Sequence, residues 1–542
     1  MKLERFFEKF EQFADAPNAV AKMRELVRHL AITGKLVPQD PKDEPAIALL
    51  SKIATHKAEL SKVGKLRGQT TVIPMAPEDG VFEIPASWTW VRFGEVMVNR
   101  DGERIPVSKE ERTNKAKSYD YYGASGVIDK IDCYLFDKPL LLIGEDGANL
   151  ISRSTPIAFM ARGQYWVNNH AHVLDGISED FLRYIELHIN AISLEPYVTG
   201  SAQPKMNQAK MNSIPIALPP LAEQKRIVAK VDELMALCDR LEAQQQERDI
   251  RHAALARASL ARFAEAPTPA NLDFLFQQTY TIPPADLRKS ILTLAVQGKL
   301  VPQDPNDESA ENLHIRIHEV KERLIKEKAI KRVTVEQNPG DSECEILPTG
   351  WMWTRLGNVF DVRDGTHDTP KYTSEGFPLI TSKNIYSGSL SFEGVSLISE
   401  EDHRKICERS RVERGDILFA MIGSIGNPVI VDTDMEFSIK NVALFKYYAH
   451  ADSEPRFLLH YLKLVSEEIK EKASGAVQSF VSLGFLRNYP FPLPPLVEQR
   501  RIVAKVDQLL ALVDQLEAQL TTSGSSAEKL MEAVVAELTM QS

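Results

Sequence analysis

The sequence predicts a mixed α+β chain built as an internal duplication with pseudo-two-fold character, in which two strand-rich α/β inserts sit in two copies of one helical frame. Three observations predict it. Leu218–Gln244 (LPPLAEQKRIVAKVDELMALCDRLEAQ) and Leu493–Gln519 (LPPLVEQRRIVAKVDQLLALVDQLEAQ) agree at 21 of 27 positions, an agreement that chance does not produce. GKLVPQDP occurs at 34–41 and again at 298–305, and IPASWTWVRFGEV from Ile84 is matched by LPTGWMWTRLGNV from Leu347. The offsets of these pairs are 264, 263 and 275 residues, so the frame keeps its length up to each Trp-x-Trp and the second insert is longer by 12.

The order of segments follows from these anchors. Residues 1–83 form an N-terminal helical segment, in which Ala19–Thr33 reads as a helix stopped at Gly34, a residue suited to a left-handed C-terminal cap. Residues 84–217 and 347–492 are the inserts. Their short apolar runs, such as Pro139–Ile143 and Asp416–Ile422, are punctuated by Gly, Asp and Pro and read as buried strands. Helical patterns at Glu179–Leu194 and Pro455–Lys472 come late in each insert.

Residues 218–263 and 493–542 read as long helices opened by Pro-Pro, with Glu223 or Glu498 in the first turn. Ile227, Val231, Leu234, Cys238 and Leu241 recur in steps of four and three, as do Ile502, Val506, Leu509, Val513 and Leu516. That is a coiled-coil-like heptad seam, and two matching seams invite mutual pairing and a subunit interface. Residues 264–346 repeat the N-terminal segment. Within them Ala264–Pro284 reads as a Pro-rich linker, Ala285–Gln297 as a helix stopped at Gly298, and Lys321–Lys331 as a charged, solvated helical face. Ser523–Ser526 predicts a break in the last helix.

Composition narrows the function classes. The chain has 542 residues, 43% of them hydrophobic and 26% charged, the balance of an ordinary soluble protein. No apolar run is long enough for a membrane helix and no signal-peptide core opens the chain, which points to the cytoplasm. Cys133, Cys238, Cys344 and Cys407 are widely separated, which disfavours a zinc site or a disulfide frame. No phosphate loop, GxGxxG, HExxH or amino-methyltransferase tetrapeptide is present, so no catalytic residue, metal site or bound cofactor is expected. His170 and His172 read as ordinary surface or core histidines. The net charge of −10 means that any nucleic-acid surface is local or completed by a partner.

Local polar loops in the inserts supply candidates for such a surface. Arg100, Arg104, Lys115 and Lys117 precede Tyr122 and Ser125 in a stretch that suits phosphates and close backbone approach, although taken alone it reads first as a mixed-charge surface. Ser201, Gln203 and Lys205 lie in TGSAQPKMN, with Gln478 at the corresponding place in the second insert. Gln reads adenine through a paired donor and acceptor, although the same residues also make turns. The second insert adds Thr366, His367, Thr369, Lys371, Lys383, Asn384 and Ser424, all in Gly-punctuated loops beside short strands.

LPPL-x-EQ-[KR]-RIV-x-KVD, the GKLVPQDP segments and the Trp-x-Trp entries resemble the specificity subunits of type I restriction–modification systems over the whole chain. So do YYGASG, LLIGEDGA, VNNHAHVL, DGTHDTP and RGDIL within the inserts. The resemblance implies two target recognition domains separated by two long antiparallel helices. Each domain would read one half of an asymmetric bipartite site on double-stranded DNA, with the helices setting the spacer. It also implies a non-catalytic chain partnered by two modification (methyltransferase) subunits that use S-adenosylmethionine. Restriction/translocase subunits using ATP and Mg would complete the assembly. A coiled-coil scaffold explains the seams but not two large inserts, and a self-contained DNA methyltransferase lacks its motif.

Overall fold

A computed structural model describes residues 16, 18–62, 75, 80–113, 116–200, 203–276, 280–339, 346–473 and 480–540. The chain divides into two units, Met1–Glu247 with Thr522–Ser542, and Arg248–Thr521.

In the first unit, α1 (Ala19–Ile32) buries Met23, Leu26, Val27 and Leu30, one face at helical spacing. It is followed by α2 (Ala46–Lys62). The insert opens with β1 (Thr89–Arg92), which pairs antiparallel with β9 (Pro215–Leu218) at the insert's far end. Between them lie β2 (Val98–Asn99), β3 (Tyr119–Gly123), β4 (Gly126–Ile131), β5 (Leu140–Gly144), β6 (Ala158–Ala161), β7 (Tyr165–Val167) and β8 (Ala171–Asp175). They form a four-stranded sheet in the order β2-β8-β5-β6 and a three-stranded sheet β4-β3-β7. The helix α3 (Glu179–Ala191) follows, capped by the Ser178 hydroxyl, which accepts from the Phe181 N–H. The long helix α4 (Leu221–Glu265) starts directly after the Pro-Pro pair.

The second unit repeats this plan. The helices α5 (Pro284–Val296) and α6 (Ala310–Lys326) precede β10 (Met352–Arg355), which pairs antiparallel with β19 (Pro490–Leu493). Its insert contains β11 (Phe360–Asp364), β12 (Tyr372–Thr373), β13 (Phe377–Ile380), β14 (Ser396–Ile398), β15 (Ile417–Ala420), β16 (Gly426–Ile430), β17 (Ser438–Ile439) and β18 (Val442–Tyr447). The sheets run β11-β18-β15-β16 and β12-β14-β13-β17. Strand for strand, the first sheet has the order found in the first unit, and β13 runs parallel to β17 as β3 does to β7. The helices α7 (Pro455–Ala473) and α8 (Leu496–Met540) complete the chain. Fold was therefore kept in the inserts where sequence was not.

α4 and α8 each span 45 residues, about 67 Å at 1.5 Å per residue. Ile227, Val231, Leu234, Cys238 and Leu241 are buried with the apolar face of α1 and with Met531, Val534 and Leu538 from the end of α8. Ile502, Val506, Leu509 and Val513 are buried with Leu287, Ile291 and Leu294 of α5 and with Ala256 and Phe263 from the end of α4, while Leu516 packs at the margin. Each seam is thus buried within its own unit, by that unit's short frame helix and by distal turns of the other long helix.

Three expectations are corrected. α8 runs unbroken through Ser523–Ser526, where Gly524 meets no neighbour within 4 Å and adds only the intrinsic helix cost of roughly 1 kcal/mol. Lys321 is not solvated: its Nζ donates to the Gly357 carbonyl at 2.9 Å and lies over the Tyr448 ring. The Pro-rich stretch after α4 is anchored, because Leu275, Tyr280 and Ile282 enter the second unit's core. Among the described residues, no helix is long and apolar enough to cross a membrane.

Candidate nucleic-acid interface

Strand direction decides where the loops gather. β2 and β5 both run antiparallel to β8, so their C-terminal ends lie where β8 begins. β7 leads into β8 through Asn168–His170, and β3 is parallel to β7. The loops after β2, β3 and β5 therefore share one edge with the β7–β8 turn. The segment Pro204–Met206 is tied to the same edge, since the Gly147 N–H donates to the Pro204 carbonyl at 3.0 Å and the Met206 N–H to the Glu145 carbonyl at 2.8 Å. In the second unit β11 and β15 run antiparallel to β18, and β17 leads into β18 through Lys440 and Asn441. The loops Gly365–Lys371, Thr381–Asn384 and Met421–Ile425 form the equivalent edge. Loops at one edge of a rigid sheet are where a fold carries recognition.

A buried charged network supports this edge in the first unit. The buried His172 ring engages Asp101 Oδ2 through Nδ1 at 2.6 Å and the Met206 carbonyl through Nε2 at 2.9 Å. Both partners only accept, so both ring nitrogens carry protons and His172 is an imidazolium. Burial pushes its pKa down, but the Asp101 carboxylate, the Met206 carbonyl and Glu145 outweigh burial and hold it above the ordinary value. Burial likewise opposes the Asp101 charge, yet His172, Arg104 and Asn99 keep its pKa below the usual range.

The predicted residues divide into those spent inside the fold and those left on the edge. Arg104 is only 14% exposed and donates to Glu145 Oε2 at 2.9 Å and to the Ala171 carbonyl at 2.7 Å. Arg100 pairs with Asp175 at 3.0 Å, and Lys117 donates to Asp129 at 2.9 Å and to two carbonyls. Tyr122 is half-buried, stacked on Phe159. Lys205 pairs with Glu145 at 3.1 Å. Asn384 folds back to accept from the Thr381 N–H and hydroxyl. His367 bonds Asp364 through Nε2 at 2.8 Å and lies 3.2 Å from Asn441 Oδ1 through Nδ1. Thr366 donates to the Asp368 carbonyl, and Thr369 accepts from Lys440. Ser125, Gln203, Lys371, Lys383 and Ser424 are exposed on the edge loops. Lys115, Ser201 and Gln478 lie outside the described residues. The turns that enter β8 and β18 also carry His170 and Lys440, which the sequence did not single out as candidates. The phrase VNNHAHVL was a signal for the first turn; the second carried none.

The repeated motifs meet in a clasp that fixes each insert to its long helix. Glu223 is buried and accepts from Trp88 Nε1 at 2.9 Å and Gln39 Nε2 at 2.6 Å. Glu498 accepts from Trp351 Nε1 at 2.9 Å and Gln303 Nε2 at 2.8 Å. Gln224 and Gln499 each donate to a proline carbonyl five residues back at 2.9 Å, and Arg226 and Arg501 pair with Asp43 and Asp307 at 2.6 Å. Burial raises the pKa of Glu223 and Glu498 against these hydrogen bonds. GKLVPQDP, Trp-x-Trp and LPPL-x-EQ were thus three fragments of one network, invisible in sequence because its members are far apart.

The chain is similar to known proteins. The type I restriction modification DNA specificity domain matches residues 85–250 and 348–523. The EcoAI type I restriction enzyme specificity subunit of Escherichia coli is 31% identical, over 95% of this chain and 93% of its own. The EcoEI specificity subunit of the same species is 29% identical over the same shares. A crystal structure of the HsdS subunit from Thermoanaerobacter tengcongensis covers 85% of this chain and 98% of its own, with 18% identity and a TM-score of 0.42. The two matched segments contain both inserts and the start of each long helix, so the chain belongs to the type I restriction–modification DNA specificity family.

Proposed function

We propose that this chain is the DNA sequence recognition subunit of a type I restriction–modification assembly, and that each insert reads one half of an asymmetric bipartite site. The observation that carries this reading is the conserved sheet order with unlike edge loops: the same platform presents Ser125, Asn169, His170 and Gln203 in one unit and Lys371, Lys383, Ser424 and Lys440 in the other. Unlike side chains on one platform read unlike sequences. Residues 84–217 and 347–492 are the two target recognition domains. The antiparallel long helices set the spacer and, with the short frame helices, dock two methyltransferase subunits. The chain holds no cofactor of its own; S-adenosylmethionine, ATP and Mg serve partner subunits, in the cytoplasm. The acidic balance of the chain makes the DNA surface local, so phosphate neutralisation is shared with those partners.

The test is selection from random duplexes by the chain assembled with its methyltransferase partner. Recovery of one motif with two defined halves and a fixed undefined spacer is expected. Recovery of a contiguous motif, or of none, would overturn the reading.

A further inference from the structure

We infer that the turn entering β8 and its equivalent entering β18 are base-reading positions of opposite hydrogen-bond polarity, His170 presenting an acceptor and Lys440 a donor. The inference rests on the recognition reading above and adds which residues read and what each can accept.

His170 is held for such a task. Its backbone N–H donates to Asn168 Oδ1 at 2.8 Å, and its carbonyl accepts from the Glu145 N–H at 2.9 Å. Its Nδ1 lies 2.8 Å from Asp146 Oδ2, while the side chain remains 51% exposed. A carboxylate only accepts, so Nδ1 carries the proton, and in that tautomer Nε2 is the acceptor. Nε2 has no partner among the described residues. An acceptor in the major groove selects a base with an exocyclic amino group, adenine through N6 or cytosine through N4.

At the equivalent turn stands Lys440. Its backbone N–H donates to the Ile380 carbonyl at 2.9 Å, which ties the turn to β13, and its ammonium donates to Thr369 Oγ1. An ammonium has three donors, so two remain. A donor at this place selects guanine through O6 and N7. His367 cannot do the same as His170, because both of its ring nitrogens are engaged within the fold. It positions Asn441 and the loop after β11 instead.

The experiment uses the full chain assembled with its methyltransferase subunits on a library of randomised duplexes, with methylated positions read by sequencing. His170→Ala is expected to relax one base position in one half-site, with about tenfold or greater loss of discrimination, and to leave the other half unchanged. Lys440→Ala is expected to do the same in the opposite half. His170→Lys turns the acceptor into a donor and is expected to move the preference at that position toward guanine. His170→Gln guards against a local folding defect, because it keeps an acceptor and should retain part of the preference. An unchanged motif at full methylation with both alanine variants would overturn the inference. So would a uniform loss at all sites, which marks contact with the DNA backbone or a positioning role. If the unaltered chain yields no bipartite motif, the recognition reading itself fails, which is a distinct result.

Discussion

Replacing Glu223 by alanine strands one buried donor, Trp88 Nε1, which it holds at 2.9 Å, and removes the 2.6 Å hydrogen bond from the exposed Gln39, whose Nε2 also donates to the Gly34 carbonyl. An unsatisfied buried donor costs about 1–3 kcal/mol, so the clasp loses about that much local stability. Glu223→Gln keeps one carbonyl acceptor and should cost less. Glu498→Ala repeats the experiment in the second unit, where Trp351 and Gln303 play the same parts. The assay is hydrogen exchange of the assembled protein, followed in the first turns of α4 and α8 and in the strands β9 and β19 beside them. At 1.36 kcal/mol per decade, the expected acceleration is about fivefold to 150-fold, limited above by global opening. Acceleration below about threefold in both variants would refute the claim that the repeated motifs form an energetic unit.

Gly34→Ala and Gly298→Ala test the same joint from the backbone side. Both glycines have positive φ, at 74° and 66°, and an added Cβ would stand 2.4 Å from the Cγ of Pro85 or Pro348. Strain of about 1–2 kcal/mol from φ alone plus the clash should lower the thermal midpoint of each variant. Arg104→Ala should destabilise the first edge and leave the salt slope of DNA binding unchanged. Lys371→Ala or Lys383→Ala should reduce that slope by roughly one, the signature of a phosphate contact. His172 gives a pH signature. The fold raises its pKa above the unfolded value, so its contribution is complete below about pH 6.5 and disappears as pH rises through the folded value. Wild type should therefore lose thermal stability over that upper range relative to its stability at pH 6, and His172→Gln should flatten the dependence.

The frame was legible in sequence because it is duplicated, and repetition exposes residues whose partners are far apart. Gly34 and Gly298, the Trp-x-Trp entries and both 45-residue helices fall where the repeats place them. The shared order of the first sheet in each insert was not legible, because the inserts share almost no sequence and pairing such as β2 with β8 spans about 75 residues. Candidate contacts chosen by charge alone fared unevenly for a physical reason. Arg100 and Arg104 lie among Asp101, Glu145 and Asp175, which only the fold brings together, and these ion pairs absorb their charge. The pairing of His170 was not legible, since its carboxylate partner Asp146 lies 24 residues upstream.

The central claim is that the two inserts read DNA separately on one common platform. The most direct measurement exchanges residues 84–217 for the corresponding insert of a relative with a known different site and maps the methylated motif of the resulting assembly. The account predicts one new half-site, with the other half retained. Alteration of both halves, or retention of the original motif, would contradict it.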